Sequence, residues 1–382
     1  MRRRIMQRIM DFLKKEAVLS VAMVLALVSM LVVTPDGEYA GYIDFRTLSI
    51  LFCLMAVMAG LQDAGVFQFI AEKLLRKVKR LWQLILILVM LCFFFSMFIT
   101  NDVALITFVP FTFIVLGLLG EKQEKRLLIP VVVLQTIGAN LGSMLTPIGN
   151  PQNLYLYGKA GLGPAEFVGL MLPYTVAAFL LLALCSIYWG RKGTEEQIAV
   201  IFREQTDLRG KEAAILRYLI LFVLSLLTVA RVLPYGISLA VVAAVFLIFD
   251  RRLLGKIDYS LLLTFVGFFI FIGNMGRVPA FCEFLQRIVK GNEVLTAVVS
   301  SQIISNVPAA LLLSGFTTEY RALILGTNLG GLGTLIASMA SLISYKYIVK
   351  ENKCSKGAYF GFFTIANIVF LAVLMILWYF IG

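Results

Sequence analysis

Hydrocarbon runs through this chain in long unbroken blocks. The stretch AVLSVAMVLALVSMLVV, residues 17–33, carries no charge, and eight more apolar blocks follow at 43–61, 127–148, 165–189, 213–230, 235–249, 257–275, 321–345 and 359–381. A helix needs about 20 apolar residues to cross the hydrocarbon core of a bilayer, and these blocks run about 17 to 25. Barrel strands would be about 10 residues long and would alternate, and no such pattern is present. With 60% hydrophobic and 15% charged residues, the chain has more apolar surface than a soluble core can bury. The expected class is an all-α integral membrane protein.

The net charge of +12 raises the question of a nucleic-acid partner. Its distribution answers that no such partner is needed. With the N-terminus placed in the cytoplasm, 26 of the 34 Lys and Arg residues fall in segments on that side, seven fall outside, and Arg217 lies within a span. This is a positive-inside bias, and it reports orientation. The segment MRRRIMQRIMDFLKKE at 1–16 is then cytoplasmic, ahead of an uncleaved first helix, since no small-x-small cleavage pattern follows it. The C-terminus is expected outside, in a plasma or inner membrane. Five scattered cysteines and the absence of any histidine argue against a disulfide framework, a thiolate metal site and a histidine proton shuttle.

Two apolar regions read differently. In VLTAVVSSQIISNVPAALLLSGF, 294–316, Ser305-Asn306-Val307-Pro308 interrupts the middle, and each arm is too short to span at 1.5 Å per residue. A re-entrant hairpin, entering and leaving on one side, fits this pattern. Region 81–119 has the same design around Thr100-Asn101-Asp102, with longer arms.

The chain also repeats itself. GANLGSMLTPI (138–148) and GTNLGGLGTLI (326–336) agree at six of eleven positions; IDFRTLSILF (43–52) matches IDYSLLLTFV (257–266), and TNDVA (100–104) matches SNVPA (305–309), in the same order. The expected organisation is a cytoplasmic segment 1–16, a first copy at 17–190, a cytoplasmic loop and extra linking helix at 191–234, and a second copy at 235–382. One extra crossing inverts the second copy, so that the two hairpin tips meet near the midplane. Inverted repeats with broken helices at their interface point to a secondary transporter.

The chemistry gathers at the tips and on the broken helices. A helix end leaves unpaired carbonyls, a helix start unpaired N–H groups. Carbonyls with Ser, Thr and Asn oxygens suit a hard cation such as Na⁺, whereas N–H groups and Asn amides suit an anion. Simple helix capping is the plainer reading of Asn101, Asp102 and Asn306. Asp102 is the carboxylate expected near the midplane, where an unpaired charge costs about 2.5–3.5 kcal/mol, so it should carry a cation or a proton. The Gly-x-x-x-Gly spacings at Gly138/Gly142 and Gly326/Gly330 suit close helix packing, but packing gives no reason for Asn140, Asn328, Thr146 or Thr334. Pro147, Gly149 and Pro151 should unwind the helix around 148–153, exposing Asn150, Gln152 and Asn153; the second copy offers Ser338 and Ser341 there. Segments 71–80 and 281–290 read as interfacial amphipathic helices. Arg217 can snorkel from its span, and Arg277 could attract an anion.

These motifs resemble the ion-transporter superfamily of divalent-anion:sodium symporters, citrate–metal symporters, arsenite-efflux permeases and D-type sodium/proton antiporters, over about 17–381. The symporters carry Ser-Asn-Thr at both tips and an Asn-x-Gly-Gly…Thr…Ile-Gly-Thr…Pro-Asn stretch. This chain has Thr100-Asn101-Asp102, Ser305-Asn306-Val307 and Asn140-Leu141-Gly142…Thr146-Pro147-Ile148-Gly149-Asn150-Pro151-Gln152-Asn153. The resemblance implies an elevator-type carrier, usually a homodimer, with Na⁺ or H⁺ as coupling ion and no other cofactor. It implies one cation site from Thr100, Asn101, Asp102, Gly138 and Asn140, and a second from Ser305, Asn306, Gly326 and Asn328. Substrate, a small anion, would lie against Asn101, Asn306, Thr146, Asn150, Asn153, Thr334 and Ser338. Asp102 and Val307 depart from the symporter threonine that helps to bind carboxylate. Asp there looks more like the arsenite-permease branch.

The function expected is cation-coupled carriage of a di- or tricarboxylate or an inorganic oxyanion. The alternatives are an arsenite- or antimonite-type efflux permease or a Na⁺/H⁺ antiporter and, more remotely, a channel, which would usually show rings of charge or a repeated filter. No nucleophile–base pair or metal cluster suggests an enzyme.

Overall fold

The computed structural model describes residues 16–192, 206–351 and 354–382. Most of the basic N-terminal segment and of the loop expected after residue 190 therefore lie outside the described residues. What is described is helical, with no strand among the described residues. The helices of nine or more residues are α1 (Ala17–Val32), α2 (Phe45–Ala64), α3 (Val66–Leu75), α4 (Leu81–Ile99), α5 (Asn101–Gly117), α6 (Glu121–Ser143), α7 (Pro151–Ala160), α8 (Pro164–Arg191), α9 (Glu212–Val229), α10 (Tyr235–Phe249), α11 (Tyr259–Met275), α12 (Pro279–Val289), α13 (Glu293–Ile304), α14 (Asn306–Ser314), α15 (Tyr320–Leu329), α16 (Met339–Glu351) and α17 (Lys356–Ile381). Six of them are long and apolar enough to cross a membrane, and α11 with α12 forms a further candidate bent by 106°. The molecule is an integral membrane protein.

Burial divides these helices. Among the spanning candidates, α6 is 89% buried in its apolar window, whereas α9 is 28% and α17 is 22% buried. The outer helices turn rows such as Leu216, Ile220 and Val223, or Ile365, Val369 and Ile376, outward. In a bilayer those rows face lipid tails, so their exposure needs no protein partner. α6 sits at the centre, packed by α4, α5, α8 and α16.

Four breaks between helices bring the polar residues together. The chain turns at Thr100 between α4 and α5, and at Ser305 between α13 and α14. α6 stops at Ser143 and resumes as α7 at Pro151; α15 stops at Leu329 and resumes as α16 at Met339. Both breaks fall within the repeated stretches expected to carry broken helices, but the first does not lie at 148–153, where unwinding is expected, and that placement needs correction. The helix ends before Pro147, and Pro151 opens α7, because proline cannot donate to a preceding turn but fits the first helical position. Asn153 is thus helical. Of the two regions expected to be hairpins, the first has arms of 19 and 17 residues and the second arms of 12 and 9. The first arm alone is long enough to span. Segment 71–80 is helical only to Leu75, whereas 281–290 lies almost wholly in α12.

α2 and α11 begin alike. Asp44 (φ −80°, ψ 83°) accepts the Thr47 N–H at 3.0 Å, and Asp258 (φ −78°, ψ 82°) accepts the Leu261 N–H at 2.9 Å. At equal distance along the chain from these caps stand Asp63 and Arg277, and each clasps the loop that precedes the other's helix. Asp63 holds Arg252 at 2.8 Å and Lys256 at 2.5 Å; Arg277 holds Asp36 at 2.6 Å, Glu38 at 3.6 Å and the Tyr42 hydroxyl at 3.1 Å. Arg277 is therefore neutralised by its own clasp. Arg217 is likewise paired, with Asp250 at 2.6 Å.

Candidate functional site

The two tips share one backbone geometry. Thr100 lies at φ 68°, ψ 152° and Ser305 at φ 73°, ψ 154°. Side chains rarely occupy this region, and each such residue costs about 1–3 kcal/mol. The surroundings that hold it are also matched. The Asn101 N–H donates to Gly149 O at 3.3 Å and the Asn306 N–H to Ala337 O at 2.9 Å, so the loop of each broken helix receives the first amide after each tip. The Thr146 hydroxyl donates to Met97 O, and the Thr334 hydroxyl to Gln302 O at 3.1 Å. Met97 and Gln302 stand three residues before their tips. The threonines thus satisfy the last carbonyls of the arms, which helix ends leave open.

Close approach explains the glycines. A Cβ on Gly142 would lie 1.9 Å from Phe93 O and 2.6 Å from Ser96 Oγ; on Gly330 it would lie 2.7 Å from Ser301 Oγ. α6 and α15 press on the arms α4 and α13 at these points. Ser96 and Ser301, both buried, each stand four residues before a tip. Neither was singled out from the sequence, although counting back from the two tips aligns them.

Asparagines then link the breaks. Asn101 Nδ2 donates to Asn140 Oδ1 at 3.0 Å, which also accepts from Ser338 Oγ at 2.9 Å, while Asn140 Nδ2 reaches Gly331 O at 3.4 Å. Asn328 Nδ2 donates to Asn153 Oδ1 at 2.6 Å, and Asn150 Nδ2 to Ser143 Oγ at 2.6 Å. α7 packs on α14 and α15, and α16 packs on α5 and α6, so each resumed helix lies against the other broken helix. Of the expected site residues, Asn101, Asn140, Asn150, Asn153, Asn306, Asn328, Ser305 and Ser338 are buried in this cluster, with Gly138 and Gly326 on its helices. Thr146 is half-buried and Thr334 exposed; both brace tip carbonyls. Gln152 is buried with neither amide atom bonded to protein, and Asn328 Oδ1 and Ser341 Oγ are also unpaired. Buried polar atoms of this kind call for a ligand or water.

Cavities beside the tips differ in chemistry. A cavity of about 300 Å³ at the first tip is lined by Thr100, Asp102, Gln62, Lys256 and Asp258 among apolar side chains, and Asp102 Oδ1 is buried there without a hydrogen-bond partner. A cavity of about 500 Å³ at the second has Ser305 as its polar residue; Phe268, Pro308 and Ile336 are typical of its wall. Among the described residues there is no group of three Cys, Asp or Glu side chains able to hold a metal ion.

Comparison with known proteins agrees with this architecture. An uncharacterised transporter of Methanocaldococcus jannaschii is 34% identical over 309 residues, 80% of this chain and 81% of the relative. The inner membrane protein YbiR of Escherichia coli is 34% identical over 308 residues, 80% of each chain. The human P protein is 30% identical over 162 residues, 40% of this chain but 18% of its own length. The citrate transporter family model matches residues 5–319. A relative named as a transporter, another named as an inner membrane protein, a family model over most of the chain and a buried polar centre where four helices break lead to one assignment: this membrane transporter belongs to the CitMHS citrate transporter family.

Proposed function

We propose that the chain is a secondary active carrier, coupled to Na⁺ or H⁺, that moves a small anion by an elevator-type movement of the tips and broken helices. The observation that carries the reading is the matched pair of tips. Two strained breaks with one geometry, each braced by equivalent atoms of the broken-helix loop in its own copy, are what two inverted copies of one unit would produce. On this reading residues 17–190 and 235–382 are the copies, α4–α5 and α13–α14 are the hairpins, and α9 is the linking helix that reverses the second copy. The N-terminus is cytoplasmic, the C-terminus external, and the assembly a homodimer in the inner membrane.

The anion would be held by the amide protons that Asn101, Asn306, Asn150 and Asn153 do not spend on protein, with Ser338, and by first-turn N–H groups of α5 and α14 other than those of Asn101 and Asn306, which already bond Gly149 O and Ala337 O. Gln152, with both donor and acceptor capacity unspent, adds to that set. Asp102 would repel a dianion unless a cation sits between them, which ties anion binding to cation binding. The family description makes citrate the first substrate to try, with succinate, sulfate, phosphate and arsenite beside it. Asp102, on the wall of its cavity with a free oxygen, also suits a proton-coupled permease of the arsenite type.

Thermal unfolding of the purified chain in Na⁺ or K⁺, at about pH 5.5 and 8, with each anion, tests this. A ligand at about 100 times its Kd stabilises the folded state by about 2.7 kcal/mol. Stabilisation by one anion only with Na⁺, abolished in Asn306→Ala, is the expected result. Control by pH alone moves the proton-coupled permease ahead, and no response to any anion refutes the carrier reading. Lys122→Cys and Thr318→Cys should label from opposite faces; labelling of both from one face refutes the inverted topology.

A further inference from the structure

The matched tips part company at one residue. Gln302, half-buried on α13, turns its amide into the loop after α15. Its Nε2 lies 3.0 Å from Gly330 O, 2.9 Å from Leu332 O and 3.1 Å from Val298 O, and its Oε1 accepts the Thr334 N–H at 2.9 Å. A positive group ringed by three carbonyls is the arrangement that a small hard cation takes in a helix break. Here the two amide protons take its place. The loop is shaped to admit them: Gly333 has φ 108°, and a Cβ there would stand 2.2 Å from Gln302 Oε1.

At the first tip the corresponding residues are Met97 and Leu145. A thioether donates no hydrogen bond, and Leu145 does not share the positive φ with which Gly333 admits the amide. The charge differs in the same direction. The first tip is followed by Asp102, which has a buried oxygen without a partner; the second is followed by Val307. One tip lacks an internal donor and has a carboxylate. The other has a donor and no carboxylate.

We infer that the second tip is filled by its own Gln302 amide and takes no coupling cation, so that one cation, at Met97–Asp102, is carried per chain. This rests on the cation-coupled reading above and departs from the two-site arrangement that the sequence resemblance implies. It makes the cycle asymmetric: the second tip supplies a permanent internal donor, and only the first changes occupancy.

The test counts cations on the full-length chain in detergent, by equilibrium dialysis with radioactive Na⁺ and, in Na⁺-free buffer, by proton titration with an indicator dye. The expected count is one ion per chain, whichever ion it is. Asp102→Asn should reduce it to zero. Met97→Gln combined with Leu145→Gly, which rebuilds the Gln302 arrangement at the first tip, should also reduce it to zero with Asp102 intact. Gln302→Ala should not reduce it. A count of two in the wild-type chain overturns the inference. So does a single ion that survives Asp102→Asn and is lost in Gln302→Ala. If Met97→Gln/Leu145→Gly fails to give a monodisperse product, the Asp102→Asn and Gln302→Ala counts still decide. Neither Na⁺ nor a titrating proton on the wild-type chain is the separate outcome that refutes cation coupling itself.

Discussion

Gly142→Ala is the substitution on which the close approach of α6 to α4 can be judged. The added methyl would meet Phe93 O at 1.9 Å and Ser96 Oγ at 2.6 Å. Ordinary carbon–oxygen contact begins near about 3.4 Å, so α4 and α6 would have to separate by about 1.5 Å, and a backbone carbonyl cannot rotate away. Overpacking a rigid interior costs about 1–3 kcal/mol and more where backbone must move. The expected loss is therefore at least about 3 kcal/mol. It should also disturb Asn140, two residues back, which ties the first tip to Ser338. Two neighbours set the scale. Gly330→Ala meets Ser301 Oγ at 2.7 Å and Gly326 O and Ser301 Cβ at 2.8 Å, all longer than the 1.9 Å contact at Gly142, and Gly138→Ala meets Val89 O at 3.4 Å, a tolerable contact. The order of destabilisation should be Gly142, then Gly330, then Gly138. It can be read as the folded fraction surviving a heat ramp, by size-exclusion chromatography in detergent. A Gly142→Ala protein as stable as Gly138→Ala would refute the packing argument.

Three further outcomes are expected. Asn153→Ala leaves Asn328 Nδ2 without its 2.6 Å acceptor in a buried setting, and should lower stability by about 1–3 kcal/mol, measured by the same heat ramp. Arg277 donates to Asp36 and holds its carboxyl below the ordinary value of 3.8. A lowered acid pKa means that the clasp persists at neutral pH and is lost only as pH falls through that lowered value. The distance between spin labels at Gly37 and Arg287 should therefore be constant from pH 8 to about 5 and lengthen only in stronger acid. Asp250→Asn should leave Arg217 half-buried with a weaker partner, and the loss measured in the heat ramp should shrink in Arg217→Met/Asp250→Asn.

Much of the fold is written in the hydropathy. The nine blocks read as helices are helical over most of their lengths, and Tyr235–Phe249 is recovered to the residue. The tips were legible because a Thr-Asn-Asp or a Ser-Asn in the middle of an apolar run has few other uses. Helix ends were less so. Proline marks a boundary without saying on which side the helix resumes, so the break after α6 was placed too late. Gln302 was hidden for another reason. Its part in the tip depends on a loop about 30 residues further along the chain, and an amide within a Ser-Ser-Gln run looks like any polar residue on a short arm. The ion pairs of Arg217 and Arg277 were hidden likewise, because long side chains choose partners in space.

The two clasps at Asp63 and Arg277 carry opposite signs, and the proposed orientation gives a reason. An ancestral unit duplicated upside down would present the same clasp to both faces of the membrane. A cation-rich loop is welcome on the cytoplasmic face and hinders insertion on the other. On the proposed orientation, geometric symmetry could then survive only by inverting the charges: the basic loop with its acidic helix end would lie inside, and the acidic loop with its basic helix end outside. The result would be a pair of fasteners keyed differently at the two faces. A chain inserted the wrong way up would find its basic loop stranded on the wrong side. A half-molecule could not dock onto a second copy of itself, because its helix end and its own entry loop do not attract. Two-fold-related shape with opposite charge would make the two halves obligate partners.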